Sequence, residues 1–284
     1  MAIVFMKQLP HFLCIGAQKA GTSWLFEQLR QHPDVWLPPV KELHYFDHLF
    51  CQSTRNWSRW HIKQSISNVL RNYANNTKQL DFSYVRYLTD IASEPMFSEV
   101  WYEAIFQRPG AQGKLIGDIT PKYCAIGPEG IRYVKQLLGP VKLIWIIRDP
   151  VARALSQLRM ETEKRRMKSE ISIAEWLELA ASDDVLCRGA YLDYIPQWLA
   201  EFDKDDILFI PFKHIATQPK QVLTAVEAFI GVSHYEHYAA PEKKVNATAA
   251  FTLPKPVIDY FSEQFQAQYQ FLHTFFNADF VNNI

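Results

Sequence analysis

The residues that most constrain this chain are Gly16-Ala17-Gln18-Lys19-Ala20-Gly21-Thr22-Ser23. They lie between the apolar run Phe12-Leu13-Cys14-Ile15 and a helix-like pattern that begins at Trp24-Leu25-Phe26 and reaches Leu29. A short continuous apolar run reads as a buried strand, and the glycines mark the turn into the helix. Strand, glycine-bearing loop and helix start, in that order, make an anion cradle. Amides of the loop and first helical turn point at the anion, and the helix dipole favours negative charge there. In the ATP/GTP P-loop the lysine follows the second glycine. Here Thr22 holds that place, and the lysine sits two residues ahead of Gly21.

The rest of the chain continues the alternation. Apolar runs at 143–147 and 207–210 are short and partly β-branched, as parallel strands covered on both faces tend to be. Helical patterns separate them. One ends at Gly139-Pro140, one opens on the capping box Ser172-Ile173-Ala174-Glu175, and one opens at Thr217 and Pro219 and stops before Gly231. The expected fold is therefore α/β, a single domain over 1–284 with a central parallel sheet flanked by helices. Residues 51–110 are polar and studded with Trp57, Trp60, Tyr73, Tyr84, Tyr87, Trp101 and Tyr102. They read as an insertion of mostly short helices over the sheet edge. A terminal helix is expected from Pro254, and Pro196 is expected to kink its segment.

Composition narrows the function. Hydrophobic residues make up 48% of the 284, enough for a sizeable core, and the formal charge is zero. No global basic field is available to attract nucleic acid, so local cations must carry any anion binding. The four cysteines, Cys14, Cys51, Cys124 and Cys187, form no CxxC pair. That argues against a zinc ribbon or redox dithiol and for a reducing compartment. No long apolar N-terminal stretch is present, so a cytoplasmic protein without a membrane span is expected.

The pattern GxxKxGTS with Trp24 after it resembles the sulfotransferases, which take a sulfuryl group from 3′-phosphoadenosine 5′-phosphosulfate (PAPS) and release 3′-phosphoadenosine 5′-phosphate (PAP). The resemblance implies a P-loop-kinase-like fold and a cofactor held by Gly16, Gln18, Lys19, Ala20, Gly21, Thr22, Ser23 and Trp24. Lys19 would reach the 5′-phosphate and the bridging oxygen, while Trp24 would face the adenine. The stretch from Trp145 through Arg148-Asp149-Pro150 to Ser156 resembles the family's 3′-phosphate motif. An arginine at a strand end offers a forked donor set that suits phosphate. A strand-end salt bridge involving Asp149 is the plainer reading.

Lys41-Glu42-Leu43-His44-Tyr45-Phe46-Asp47 resembles the K-E-x-H-F-F-D stretch of carbohydrate-type and bacterial sulfotransferases. It implies Glu42 as general base on an acceptor hydroxyl, with its pKa raised by burial toward the working pH. His44 is the second candidate base. His44, Asp47 and His48 also have the composition of a metal trio, but sulfuryl transfer needs no metal and none is expected. In Gly117-Asp118-Ile119-Thr120-Pro121-Lys122-Tyr123, the resemblance implies acceptor contacts at Asp118 and Tyr123, with Asp118, in place of the usual Glu, alternatively holding the surroundings of Lys19. Family members often carry a lysine where this chain has Ile119, and Lys122 lies nearby. Thr120-Pro121 also reads simply as a turn.

Arg188-Gly189-Ala190-Tyr191 ahead of Trp198 resembles the family's R-G-x-Y, whose Tyr (here Tyr191) or Arg (here Arg188) borders the cofactor; Tyr191 and Trp198 also read simply as core. Lys243 and Lys244 fall where the family closes a loop on the 3′-phosphate. The run Lys164-Arg165-Arg166 with Lys168 is either a solvated helix face or a greeting for an anionic acceptor. The expected acceptor is a glycan or small-molecule hydroxyl, and 51–110 is expected to wall it. Two alternatives stay open: a P-loop nucleotide kinase, with Asp149 as its Mg²⁺-holding acid, and a non-catalytic binder of the 3′-phosphoadenosine nucleotide.

Overall fold

A computed structural model of the chain describes residues 8–164, 171–243, 245 and 253–284. Five strands form one sheet: β1 (Phe12–Gly16), β2 (Val35–Trp36), β3 (Leu115–Ile119), β4 (Lys142–Ile147) and β5 (Ile207–Pro211). Their order is β2-β3-β1-β4-β5 and every pairing is parallel. Leu13 stands between Asp118 of β3 and Leu143 of β4, and Leu143 is in turn beside Ile207. This is the expected α/β sheet with helices around it.

The three anticipated strands are the apolar ones. Every residue of β1 is buried, as are five of the six in β4, because helices cover both faces. Strands β2 and β3 are additional. β2 has two residues and β3 reads Leu-Ile-Gly-Asp-Ile, so neither shows a continuous apolar run. Gly117 in β3 has a packing reason: a Cβ there would stand 2.1 Å from the Phe12 ring of β1.

Residues 51–110 are helical, with helices Gln52–Arg55, Ser58–Asn76, Phe82–Ile91 and Glu99–Phe106. The second is nineteen residues long, which exceeds the short pieces expected. Asp81 and Ser98 cap the third and fourth through side-chain oxygens. The C-terminal segment is three helices, Lys255–Gln264, Gln266–Phe275 and Ala278–Asn282, instead of one. No glycine or proline marks the first break, so the sequence pattern runs through it. The helix Tyr191–Leu199 likewise runs through Pro196. A second, smaller core joins Ala154 and Leu158 to Trp176, Leu179, Val257 and Phe261, and so anchors the helix that follows β4. Among the described residues, no helix is long and apolar enough to cross a membrane.

Candidate active site

The loop after β1 delivers the cradle. The helix Thr22–Leu29 begins at Gly21, whose φ of 85° is left-handed. A Cβ there would also meet Ile215 at 2.7 Å, so glycine is needed for both conformation and space. Lys19 is itself left-handed, φ 70°, and its Nζ lies 3.5 Å from Met160 Sδ. Arg148 leaves the end of β4 and donates through Nη1 to the Lys19 carbonyl. Its guanidinium lies over the Phe212 ring, 4.4 Å from the centroid. Tyr191 is buried, and its hydroxyl accepts from Arg148 N (3.2 Å) and donates to Arg148 O (2.9 Å). It therefore positions Arg148 from behind.

One cavity of about 1120 Å³ joins these groups beyond the carboxyl ends of β1 and β4. The strand order reverses there, which is where open α/β sheets bind ligands. Gln18, Lys19, Gly21, Thr22, Ser23 and Trp24 line it from the first loop. Arg148, Ser156 and Lys243 line the other side, and Glu42 and His44 reach it as well. Gly16 and Ala20 sit in the backbone beneath and do not line it. Lys244 and the run 165–168 lie outside the described residues. Trp24 donates through Nε1 to the Pro241 carbonyl at 2.6 Å, tying the 232–243 strap across the cradle.

The cavity suits an anion. Nε of Arg148 and Nε of Arg188 are buried donors with no hydrogen-bond partner among the described residues. Orphaned charged donors at a cavity wall call for an acceptor that a ligand would bring. Arg188 is held there by Gln18 and by Asp184, 2.7 Å away. Asp149, by contrast, does not line the cavity. Its Oδ1 accepts from Ala152 N at 2.7 Å and its Oδ2 from the Tyr269 hydroxyl. Both oxygens are engaged in structural bonds, and among the described residues no salt bridge joins Asp149 to Arg148.

Glu42 and His44 come from a loop pinned at three points to the end of β3 and the turn that follows it. Glu42 N donates to Ile119 O (3.2 Å), Leu43 N to Thr120 Oγ1 (3.0 Å) and Tyr45 N to the Tyr123 hydroxyl (3.2 Å). Both residues are left-handed, φ 65° and 54°. The five described non-glycine residues with positive φ thus include Lys19, Glu42 and His44, and such strain gathers at functional sites.

Asp47, buried, accepts from His44 Nδ1 at 2.8 Å, and His44 Nε2 stands 3.4 Å from Glu42 Oε2. Burial works against ionising Glu42, but the ammonium of Lys41 and the His44 ring outweigh it and hold the carboxyl well below its usual range. Burial likewise opposes a charged His44, yet Asp47 and Glu42 raise it to about 9. Glu42 is therefore ionised, contrary to the raised pKa expected of it, and His44 carries a proton at neutral pH. His48 faces elsewhere, bonding Ser58 Oγ at 2.6 Å and stacking on Phe97, so no metal trio forms with it.

Asp118 and Tyr123 are not at the cavity surface. Both are fully buried, and Asp118 accepts from the hydroxyls of Tyr102 (2.9 Å), Tyr123 (2.8 Å) and Thr120 (2.7 Å). Burial pushes Asp118 up to about 6 against these donors. The pair forms a buttress under the Glu42 loop; the acceptor contacts expected of it are not found. Ile119 is buried too, whereas Lys122 lines the cavity. Several lining residues carry no sequence signal of their own, Arg159 and His61 among them. Arg159 is three residues beyond Ser156 and His61 four beyond Trp57, so helical spacing alone puts each on its neighbour's face.

Sheet order, cradle and cavity define an α/β protein of the sulfotransferase fold. The solved sulfotransferase from Alicyclobacillus acidocaldarius superposes with a TM-score of 0.58 at 20% identity, covering 94% of this chain and 96% of that one. A sulfotransferase domain from the curacin biosynthetic pathway gives 0.55 at 17% identity, over 86% and 82%. In sequence, the chain is 25% identical over 231 residues to mouse heparan sulfate glucosamine 3-O-sulfotransferase 3A1, and 26% over 234 to human 3B1. Each match takes in 80% of this chain but 47% of the relative, so the chain spans about half the length of those proteins. The model of the sulfotransferase family matches residues 10–237, and the chain belongs to that family.

Proposed function

We propose that the chain transfers a sulfuryl group from PAPS to an acceptor hydroxyl, with a carbohydrate as the acceptor class. The observation that carries this is convergence. Lys19 and Arg148, 129 residues apart in sequence, brace each other at one cavity that also holds an ionised Glu42. The relatives named for glucosamine support the carbohydrate assignment.

When bound, PAPS supplies the sulfuryl group and a phosphate leaving group. Arg148 and Ser156 would grip the 3′-phosphate end, and Lys243 would close on it. Lys19 and the loop amides would take up the negative charge that grows on the leaving oxygen. Glu42, already a carboxylate, would take the acceptor's hydroxyl proton as that oxygen attacks in line. His44, protonated and fixed by Asp47, would hold Glu42 in aim, and as a cation it is not the base.

Charge stabilisation of this kind commonly contributes a few kcal/mol per donor. Lys19→Ala should therefore lower kcat by roughly a hundredfold, read as labelled sulfate transferred from PAPS. Near-native turnover in Lys19→Ala, or in Glu42→Gln, would overturn the assigned roles.

A further inference from the structure

Among the described residues, Arg153 is the largest charged side chain that the molecule buries completely. It sits on the helix Pro150–Lys164 beside Ala154, which belongs to the second core. Nη2 donates to the Val185 carbonyl. Nε and Nη1 have no hydrogen-bond partner among the described residues, and no carboxylate there pairs with the guanidinium. Burying a charge without a partner is costly, and an apolar side chain would serve the packing better. Burial pushes the Arg153 pKa down to about 10, and the charges of Arg188 and Arg148 push the same way.

What Arg153 touches leads to the cavity. Val185 runs into the short turn Cys187–Gly189. Gly189 packs directly on the guanidinium: a Cβ there would stand 2.6 Å from Arg153 Nε, and its three nearest atoms would all belong to Arg153. Arg188 lies between these two holds. It lines the cavity and donates through Nη1 to Gln18 Oε1 of the cradle loop. Arg148 lines the same cavity. Phosphate groups entering there would bring negative charge to three guanidiniums that otherwise repel one another.

We propose that Arg153 is a positioning residue for the nucleotide phosphates: from behind the wall it fixes the 185–189 turn, and with it Arg188, against the cradle, at the expense of the empty chain's stability. The proposal rests on the PAPS reading of the same cavity. Arg153 itself does not line the cavity and touches no ligand.

The test compares the native full chain with Arg153→Met, Arg153→Lys and Gly189→Ala, by thermal melts without ligand and by calorimetry with PAP. Methionine keeps an unbranched stem and drops the charged fork. Arg153→Met should raise the Tm of the empty chain by about 3 °C and yet weaken PAP binding about tenfold. Arg153→Lys, which keeps the charge, should return the Tm to the native value and recover part of the lost affinity. Gly189→Ala, which presses a methyl on the guanidinium, should also weaken PAP, with a Tm no higher than native. A lower Tm in Arg153→Met, the result a merely structural arginine would give, would overturn the proposal. So would unchanged PAP affinity in Arg153→Met or in Gly189→Ala. Failure of the native chain to bind PAP would instead strike the sulfotransferase reading itself, and this proposal with it.

Discussion

Glu42 and His44 share one proton economy. His44, raised to about 9, binds a proton in the folded chain that the unfolded chain gives up near 6.5. The stability this contributes is present in full below about pH 6.5 and is lost as pH rises through 9. Denaturant melts should fall over that window in the native chain and stay flatter in His44→Gln. Activity should follow the same limb, with kcat/KM level near neutrality and declining as His44 deprotonates. Removing the imidazolium also takes away a partner that favours ionised Glu42, so the acid limb should move to higher pH in His44→Gln. The identities of these residues were legible in the sequence, because the Lys-Glu-x-His spacing names them. Their ionisation was not. It depends on a left-handed backbone at Glu42 and His44 that brings Lys41 and the ring onto one carboxylate, and nothing in the string of letters announces that turn.

Elements hold the site from outside it. Glu227, buried in the helix Pro219–Ile230, accepts from His234 Nδ1 (2.6 Å), Tyr235 N (3.2 Å) and the Tyr238 hydroxyl (2.8 Å). The strap so fixed runs on to Pro241, which receives Trp24, and to Lys243 at the cavity. Glu227→Ala should therefore raise the KM for PAPS by about tenfold, the equivalent of one lost hydrogen-bonded anchor, while kcat changes little. Glu227→Gln, which keeps one acceptor oxygen, should fall between. A kcat loss matching the KM rise would show the strap to be part of the chemistry. Within the sheet, Asp118 ties β3 to three hydroxyl donors. Asp118→Ala should cost about 3 kcal/mol of stability by orphaning them, measured by urea unfolding. These elements were the harder part to read. Strands β1, β4 and β5 announce themselves as apolar runs, but β3 carries its glycine and aspartate for packing and buttressing, which breaks the pattern.

At the scale of the whole molecule, the cavity lies between elements drawn from distant parts of the chain, so a ligand there should steady the entire fold. PAP at a hundred times its Kd adds about 2.7 kcal/mol, which for a chain of this size should raise Tm by about 5 °C or more. Adenosine, lacking both phosphates, should give no such shift, and Arg148→Ala should abolish the response to PAP. Part of this assembly was legible in the chain, since the cradle loop and the Arg148 stretch each follow the end of an apolar run. The left-handed cradle lysine has a last consequence. Glycine at position 19 would relax the backbone where alanine would not, by about 1 kcal/mol, so the Lys19→Gly protein should melt above Lys19→Ala though both lack the lysine's charge. A campaign to toughen this protein against heat, if it scored survival alone, would be drawn toward the very positions that build its cavity.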